Sequence, residues 1–235
     1  MRPPKVLPAI AEIVPRVSSD PTLGPLLAEF YDQYLVDQDP SHFTCQVADK
    51  YFIGTLERLA SSGERRTRRA AVLALGFLAS YDSNAVLGRA LVDGDRLVRT
   101  LAESAIRTVW YRGEDDVQRN ALSRVMQCND CRQYAEAVEL TTRLIEQAPA
   151  FAEAWNQRAI AWYCQARYTE SIADCREALE LNPFHFGAAG GMGQCYVQLE
   201  DFKAALASFR WALKLNPNLE GIRASVNFLE RSLGK

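Results

Sequence analysis

Apolar residues recur along the C-terminal half of the chain at spacings of three and four, and the pattern itself repeats. Trp155, Ala159 and Trp162 form one stripe, and Ile172, Cys175, Ala178 and Leu179 form a second, which predicts two amphipathic helices separated near Ala166-Arg167. The second helix should end at Asn182-Pro183, because proline disfavours α geometry in the residue before it and has no N–H to donate. The following stretch carries the same plan: Tyr196 aligns with Trp162, Phe202 with Tyr168, Ala205 with Ser171, Phe209 with Cys175 and Ala212 with Ala178. It closes at Asn216-Pro217. Pro149, Pro183 and Pro217 stand 34 residues apart, whereas the other seven prolines all precede residue 41. A fixed period of this length marks an array of helical hairpins, each too small to bury its apolar face without a stacked neighbour. The units are residues 118–151, 152–185 and 186–219.

This pattern resembles the tetratricopeptide repeat, whose W-x2-L-G-x2-Y, A-x3-F and P positions over 34 residues are met by Trp155, Trp162, Ser171, Ala178 and Pro183. In the first unit Ala121 and Cys128 replace the tryptophan and the tyrosine, while Tyr134, Ala137, Leu144 and Pro149 keep the period. The family's leucine is Arg158 here, and its hairpin glycine is replaced by Arg132, Ala166 and Glu200. A left-handed turn at these three positions would cost about 1–2 kcal/mol each. The phrase NPFHFGAAGGMGQCY is similar to the tail of small bacterial proteins of this family.

A fainter period of 31 runs through residues 49–113. Leu56 falls on Leu87, Arg68 on Arg99, Ala71 on Ala102, Ala74 on Ala105, Leu75 on Ile106 and Leu78 on Val109. Two hairpins follow, at about 52–60 with 67–79 and 84–91 with 97–109. The run from Asp95 to Ala102 resembles the second helix of a HEAT repeat, in which an aspartate caps the helix and an arginine pairs along the stack. Ahead of it, residues 1–48 comprise a proline-rich arm, with a short helical turn possible at 9–14, and a capping helix from 25 to about 37 that Asp39-Pro40 ends. Gly113 and the acidic run after it start the next helix without a flexible linker. The fold class is therefore all-α, one α-solenoid of HEAT-like hairpins followed by three tetratricopeptide units. Residues 220–233 cap it through Ile222, Val226 and Leu229.

Charge changes the picture only by exclusion. The formal net charge is −2, shared evenly between the halves, so neither half reads as a nucleic-acid or membrane-surface module. No stretch approaches 18 apolar residues, and residues 1–17 lack the unbroken apolar run of a signal peptide. The six cysteines show no disulfide-framework spacing, which fits reduced thiols in a cytoplasmic setting.

Candidate chemistry is sparse. Cys128-Asn129-Asp130-Cys131 is the only CxxC, with no second CxxC or CxxH to complete a zinc site, and it falls near a helix C-terminus, where the dipole opposes a thiolate. Cys128 takes a core tyrosine's place, so a buried thiol is expected. Cys164 and His185 lie about 18 Å apart along parallel helices, too far for a nucleophile and its base. Arg65, Arg66, Arg68 and Arg69 spread over more than one helix face and read as a solvated helix start. Gly187, Gly190, Gly191 and Gly193 follow no strand, so close helix packing explains them better than a phosphate loop. No catalytic residue, metal or cofactor is expected.

The resemblance implies that the first helix of each hairpin lines a concave peptide-binding groove. Carried over by position, that face is Leu122, Met126 and Phe151, then Asn156, Ile160, Tyr163 and His185, then Gln194, Val197 and Gln198. It is apolar and rich in amides, which suits a peptide backbone with apolar anchors. The lysine, asparagine and arginine that clamp a C-terminal carboxylate in the best-known subclass are Leu122, Met126, Gln157, Gly187 and Gly191 here, so such tails are disfavoured. The expected function is a non-enzymatic scaffold binding a protein or peptide partner, with neither nucleic acid nor membrane among its ligands. The alternative is a HEAT-type lyase or maturation factor, since the 31-residue units resemble the repeats of phycobilin lyases.

Overall fold

A computed structural model describes residues 26–112 and 115–234, so the proline-rich arm, the turn at 9–14 and the Gly113-Glu114 helix start lie outside the described residues. Among the described residues there are thirteen α-helices, one short 3-10 turn and no strand. In chain order they are α1 (Leu26–Asp37), α2 (Pro40–Lys50), α3 (Ile53–Ser62), α4 (Arg65–Leu78), α5 (Asn84–Ala90), α6 (Arg96–Arg112), α7 (Asp116–Asp130), α8 (Tyr134–Gln147), α9 (Ala152–Cys164), α10 (Tyr168–Leu181), α11 (Phe186–Gln198), α12 (Phe202–Leu215) and α13 (Glu220–Ser232). The expected hairpins are therefore α3/α4, α5/α6, α7/α8, α9/α10 and α11/α12. In α13, Val226 and Leu229 are buried against Phe209 and Leu206 of α12, with Ile222 packed beside them.

Helix α2 has no counterpart in the sequence reading. Asp39-Pro40, read as a stop, is also a start: Asp39 accepts from the Ser41 and His42 N–H groups, and Pro40 sits in the first turn, where its missing donor has no consequence. Each of the three hairpin turns expected to strain its non-glycine residue does so, with φ of 61° at Arg132, 58° at Ala166 and 58° at Glu200. Arg158, in the place of an apolar residue, is held by Asp174 at 2.8 and 2.9 Å and by Thr142 of α8 at 3.1 Å. The ion pair joins α9 to α10 with both side chains largely buried.

In the N-terminal half, α4 is buried on most of its circumference and forms the centre of a core that includes Leu27, Phe43, Leu56, Leu87 and Val109. Polar contacts fix the stacking of α4 on α6. Arg68 is bidentate to Asp93, and Arg69 is bidentate to Asp95, which also caps α6 by accepting from the Val98 N–H. Arg112, in the last turn of α6, donates to the carbonyls of Gly76, Phe77 and Ala79 that end α4.

The two halves do more than succeed one another. The N-terminal half lies along the Asn-Pro turns between α10 and α11 and between α12 and α13. Phe186 is buried in the N-terminal core, and Phe184, Leu215 and Leu219 pack against it. Asn84 donates to Asn182 at 2.9 Å and Arg99 to Asn218 at 3.2 Å, across 98 and 119 residues of chain. Trp110 stacks on His185 with ring centroids 4.3 Å apart and planes 14° from parallel.

Two outcomes test this architecture. A Cβ at Gly88 would stand within the van der Waals envelope of the Phe184 ring. Gly88→Ala should therefore lower the stability of the whole chain by about 1–3 kcal/mol in urea unfolding, and an unchanged midpoint would contradict the contact between halves. The second concerns Asp95: the Arg69 guanidinium, helped by the Val98 N–H, holds its carboxyl at about 2 against an ordinary value of 3.8. A depressed folded-state pKa stabilises above the unfolded value and is lost as pH falls through the folded one. The stability difference between wild type and Asp95→Asn should thus be full above pH 4 and shrink between about pH 4 and 2, as followed by thermal melts across that range.

Candidate functional site: a composite groove

Asn156, Ile160 and Tyr163 stand at i, i+4 and i+7 on α9, and Gly187, Gly191 and Gln194 repeat the spacing on α11. The helices run side by side within the array, so the two rows face the same space. The cavity between them holds about 320 Å³. Ser171 and Cys175 of α10, Leu219 and Ile222, and Arg107 and Tyr111 of α6 complete its lining.

Of the ten positions expected in the groove, Asn156, Ile160, Tyr163 and Gln194 line this cavity together. Val197 is partly buried against the Leu206 and Phe209 cluster, and Gln198 is exposed beside the Tyr168 hydroxyl. Met126 and Phe151 are half-buried around Leu122, and Phe151 also lines a second cavity of about 370 Å³ with Tyr81, Trp110 and Leu181.

Two expectations need correction. Leu122 is 1% exposed, in a core with Leu144, Ile145 and Ala154, and Tyr111 packs against that core. His185 is also 1% exposed, under the Trp110 indole. The causes differ: Trp110 of α6 covers His185, whereas Leu122 is buried among residues of α8 and α9, with Tyr111 of α6 packed beside them. Arg107 and Tyr111, the residues that sequence reasoning missed, come from the same helix. Their distance along the chain from α9 and α11 left no periodic signal to find them by.

His185 has a structural task. Its Nδ1 accepts from the Ala188 N–H at 3.0 Å, which places the ring proton on Nε2, and Nε2 donates to Glu153 Oε2 at 2.9 Å. Glu153 Oε1 accepts from Gln157 at 2.7 Å and from Asn156 at 3.0 Å. The carboxylate sits in the first turn of α9, where the helix dipole favours negative charge. Asn156 is thus oriented by the Glu153 carboxylate, while Gln194 is exposed.

The glycines of α11 divide into two kinds. A Cβ at Gly193 would come within 2.5 Å of the Phe209 ring, and one at Gly190 within 2.6 Å of the Ile222 Cδ1, so close approach of neighbours accounts for both. At Gly187 and Gly191 the nearest atoms would be His185 Cε1 at 3.4 Å and Cys175 Sγ at 3.6 Å, ordinary contacts that alanine would satisfy. Each glycine inside a helix costs about 0.5–1 kcal/mol relative to alanine. Packing does not require that cost at 187 and 191. Its consequence is a notch in the groove wall through which the cavity reaches Cys175.

The arrangement offers shape and hydrogen bonds rather than reactive groups. Burial pushes the Cys175 and Cys195 thiols up, away from thiolate character, and both nitrogens of His185 are engaged. Among the described residues no three His, Cys, Asp or Glu side chains are grouped to hold a metal, and no helix is long and apolar enough to cross a membrane.

Residues 152–185 and 188–219 each match a sequence model described as tetratricopeptide repeat. A Protein SGT1 homolog of Oryza sativa subsp. japonica is 39% identical over 72 residues, covering 31% of this chain and 20% of that protein. A TPR repeat-containing protein of Rhizobium etli is 28% identical over 97 residues, covering 41% of this chain and 48% of that protein. The chain therefore spans from a fifth to about half of the length of these relatives. Among solved structures, the first TPR of Spaghetti (RPAP3) bound to an HSP90 peptide superposes on 50% of this chain and 94% of its own, with 19% identity and a TM-score of 0.48. Residues 152–185 and 188–219 of this all-α chain are two tetratricopeptide repeats.

Proposed function

We propose that this protein is a non-enzymatic interaction scaffold that holds a peptide or helical segment of a partner protein in the groove between α9 and α11. The observation that carries the reading is the open row of Asn156, Ile160 and Tyr163 facing Gln194. Ile160, a large aliphatic side chain, is 40% exposed there and has amides on either side. An apolar anchor with flanking amides matches an extended backbone, since each amide both donates and accepts. In this reading residues 118–151 form a third, divergent tetratricopeptide unit, residues 49–113 two HEAT-like hairpins and residues 1–48 a proline-rich arm and a capping helix, in a cytoplasmic protein of bacterial type. The Arg69 and Asp95 pair supports the HEAT-like assignment: the aspartate caps its helix and binds the arginine of the preceding hairpin.

Three substitutions test the groove. Ile160→Asp should reduce affinity for the partner captured by wild type at least tenfold while leaving the melting temperature within a degree or two, because the side chain reaches solvent. Ala159→Asp would bury an unpaired carboxylate at a position 2% exposed, and should destabilise by more than about 3 kcal/mol. Glu177→Lys, exposed on α10, should change neither property. The reading is wrong if Ile160→Asp binds the partner as wild type does.

A further inference from the structure

We propose that α6 is a wall of the recognition groove and that Arg107 is its specificity residue. It would select a partner segment in which a side-chain carboxylate neighbours a large apolar residue seated over Gly187 and Gly191. The inference rests on the groove reading above and adds the chemistry of the occupant.

Charge carries the first half of the argument. Of the residues lining the groove cavity, Arg107 alone is charged, and Glu103, its carboxylate partner at 3.4 Å, is outside that lining. A single cation above apolar and amide surface is matched by a single anion on the ligand. Arg107 is also held ready. Its guanidinium carbon lies over the Phe186 ring, 4.6 Å from the centroid, Nη2 makes a long bond of 3.4 Å to Glu103 on its own helix, and the group also interacts with the Tyr111 hydroxyl. The Phe186 ring backs the group, while the side chain remains 39% exposed. A guanidinium presents paired donors that match the two oxygens of a carboxylate, as a lysine would not.

Shape carries the second half. Gly187 and Gly191 lack side chains that packing would have allowed, and the notch they leave is floored by Cys175 and bounded by Ala159, Phe186 and Ile222. These walls are apolar. The thiol at the floor is neutral, since burial pushes its pKa up. A leucine, methionine or phenylalanine side chain fits this chemistry, and a charged one does not. The cavity of about 320 Å³ joins notch and guanidinium in one space, so the two ligand groups belong to neighbouring positions of one segment.

The test is selection of random dodecapeptides on the immobilised full-length protein, with each peptide C-terminus fused to its carrier so that no terminal carboxylate is presented. Wild type should enrich Asp or Glu at a fixed spacing from Leu, Met or Phe, and Arg107→Glu should enrich Lys or Arg at the acidic position. A synthetic peptide of the enriched sequence, blocked at both ends, should bind at least tenfold more weakly to Arg107→Glu and to Arg107→Gln. Its affinity for wild type should fall as salt rises from about 0.05 to about 0.5 M. Gly191→Leu should fill the notch and remove the apolar preference at an unchanged melting temperature. If wild type enriches no sequence, both the groove reading and this proposal fall. Apolar enrichment without an acidic position, or the same acidic position selected by Arg107→Glu, overturns the role of α6 and leaves the groove intact. Should Arg107→Glu fail to fold, the peptide affinity of Arg107→Gln decides the question alone.

Discussion

The contact on which the rest of the molecule depends is the seat of Trp110 between α6 and the turn that joins α10 to α11. One face of the indole stacks on His185, its Nε1 donates to Asn84 at 2.7 Å, and Asn84 passes the bond on to Asn182, whose Oδ1 also accepts from the Phe184 N–H. All of these side chains except that of Phe184 are buried. A polar chain of this kind tolerates little displacement, because each unpaired buried group costs about 1–3 kcal/mol. Asn182 already leaves its Nδ2 without a partner among the described residues. The network therefore specifies one placement of the N-terminal half on the repeat array rather than a general apolar association.

That placement decides what kind of groove the repeats can offer. Repeats alone would expose the first-helix face along α9 and α11. With α6 in place, Tyr111 packs on the Leu122 core and Trp110 covers His185, and the cavity between α9 and α11 gains a wall from α6. The helix that covers His185 also furnishes Arg107. Loss of accessible area and gain of a charged wall are thus two consequences of the same packing.

The legibility of each feature in the sequence follows from its range along the chain. Helix pairing within a unit repeats every 34 residues, so Trp162, Tyr196 and the Asn-Pro turns announce it, and even the strained turns at Arg132, Ala166 and Glu200 stand where the period puts them. A local signal that serves two purposes is harder to read: Asp39-Pro40 both ends α1 and caps α2, and only the first role was apparent. Arg158 in an apolar slot looked like a departure from the pattern, because its partner Asp174 is a turn and a helix away. Contacts across about a hundred residues leave no periodicity at all. Arg107, Tyr111 and Trp110 occupy ordinary positions on an amphipathic helix, and nothing in their spacing distinguishes the face that meets the array from the face that meets the N-terminal core.

The same reasoning separates the two roles of Glu153. A carboxylate with almost no exposure and no arginine or lysine nitrogen within 4 Å among the described residues would be costly in a plain core. Here it lies in the first turn of α9 and accepts from a neutral imidazole and two amides, which disperses its charge over three donors. Those donors belong to different surfaces. His185 is part of the contact with Trp110, whereas Asn156 lines the groove. The orientation of the Asn156 amide is therefore set by a residue whose other partner is fixed by the interface between the halves. The Asn156 amide at the groove and the His185 ring at the contact between the halves consequently share one buried carboxylate.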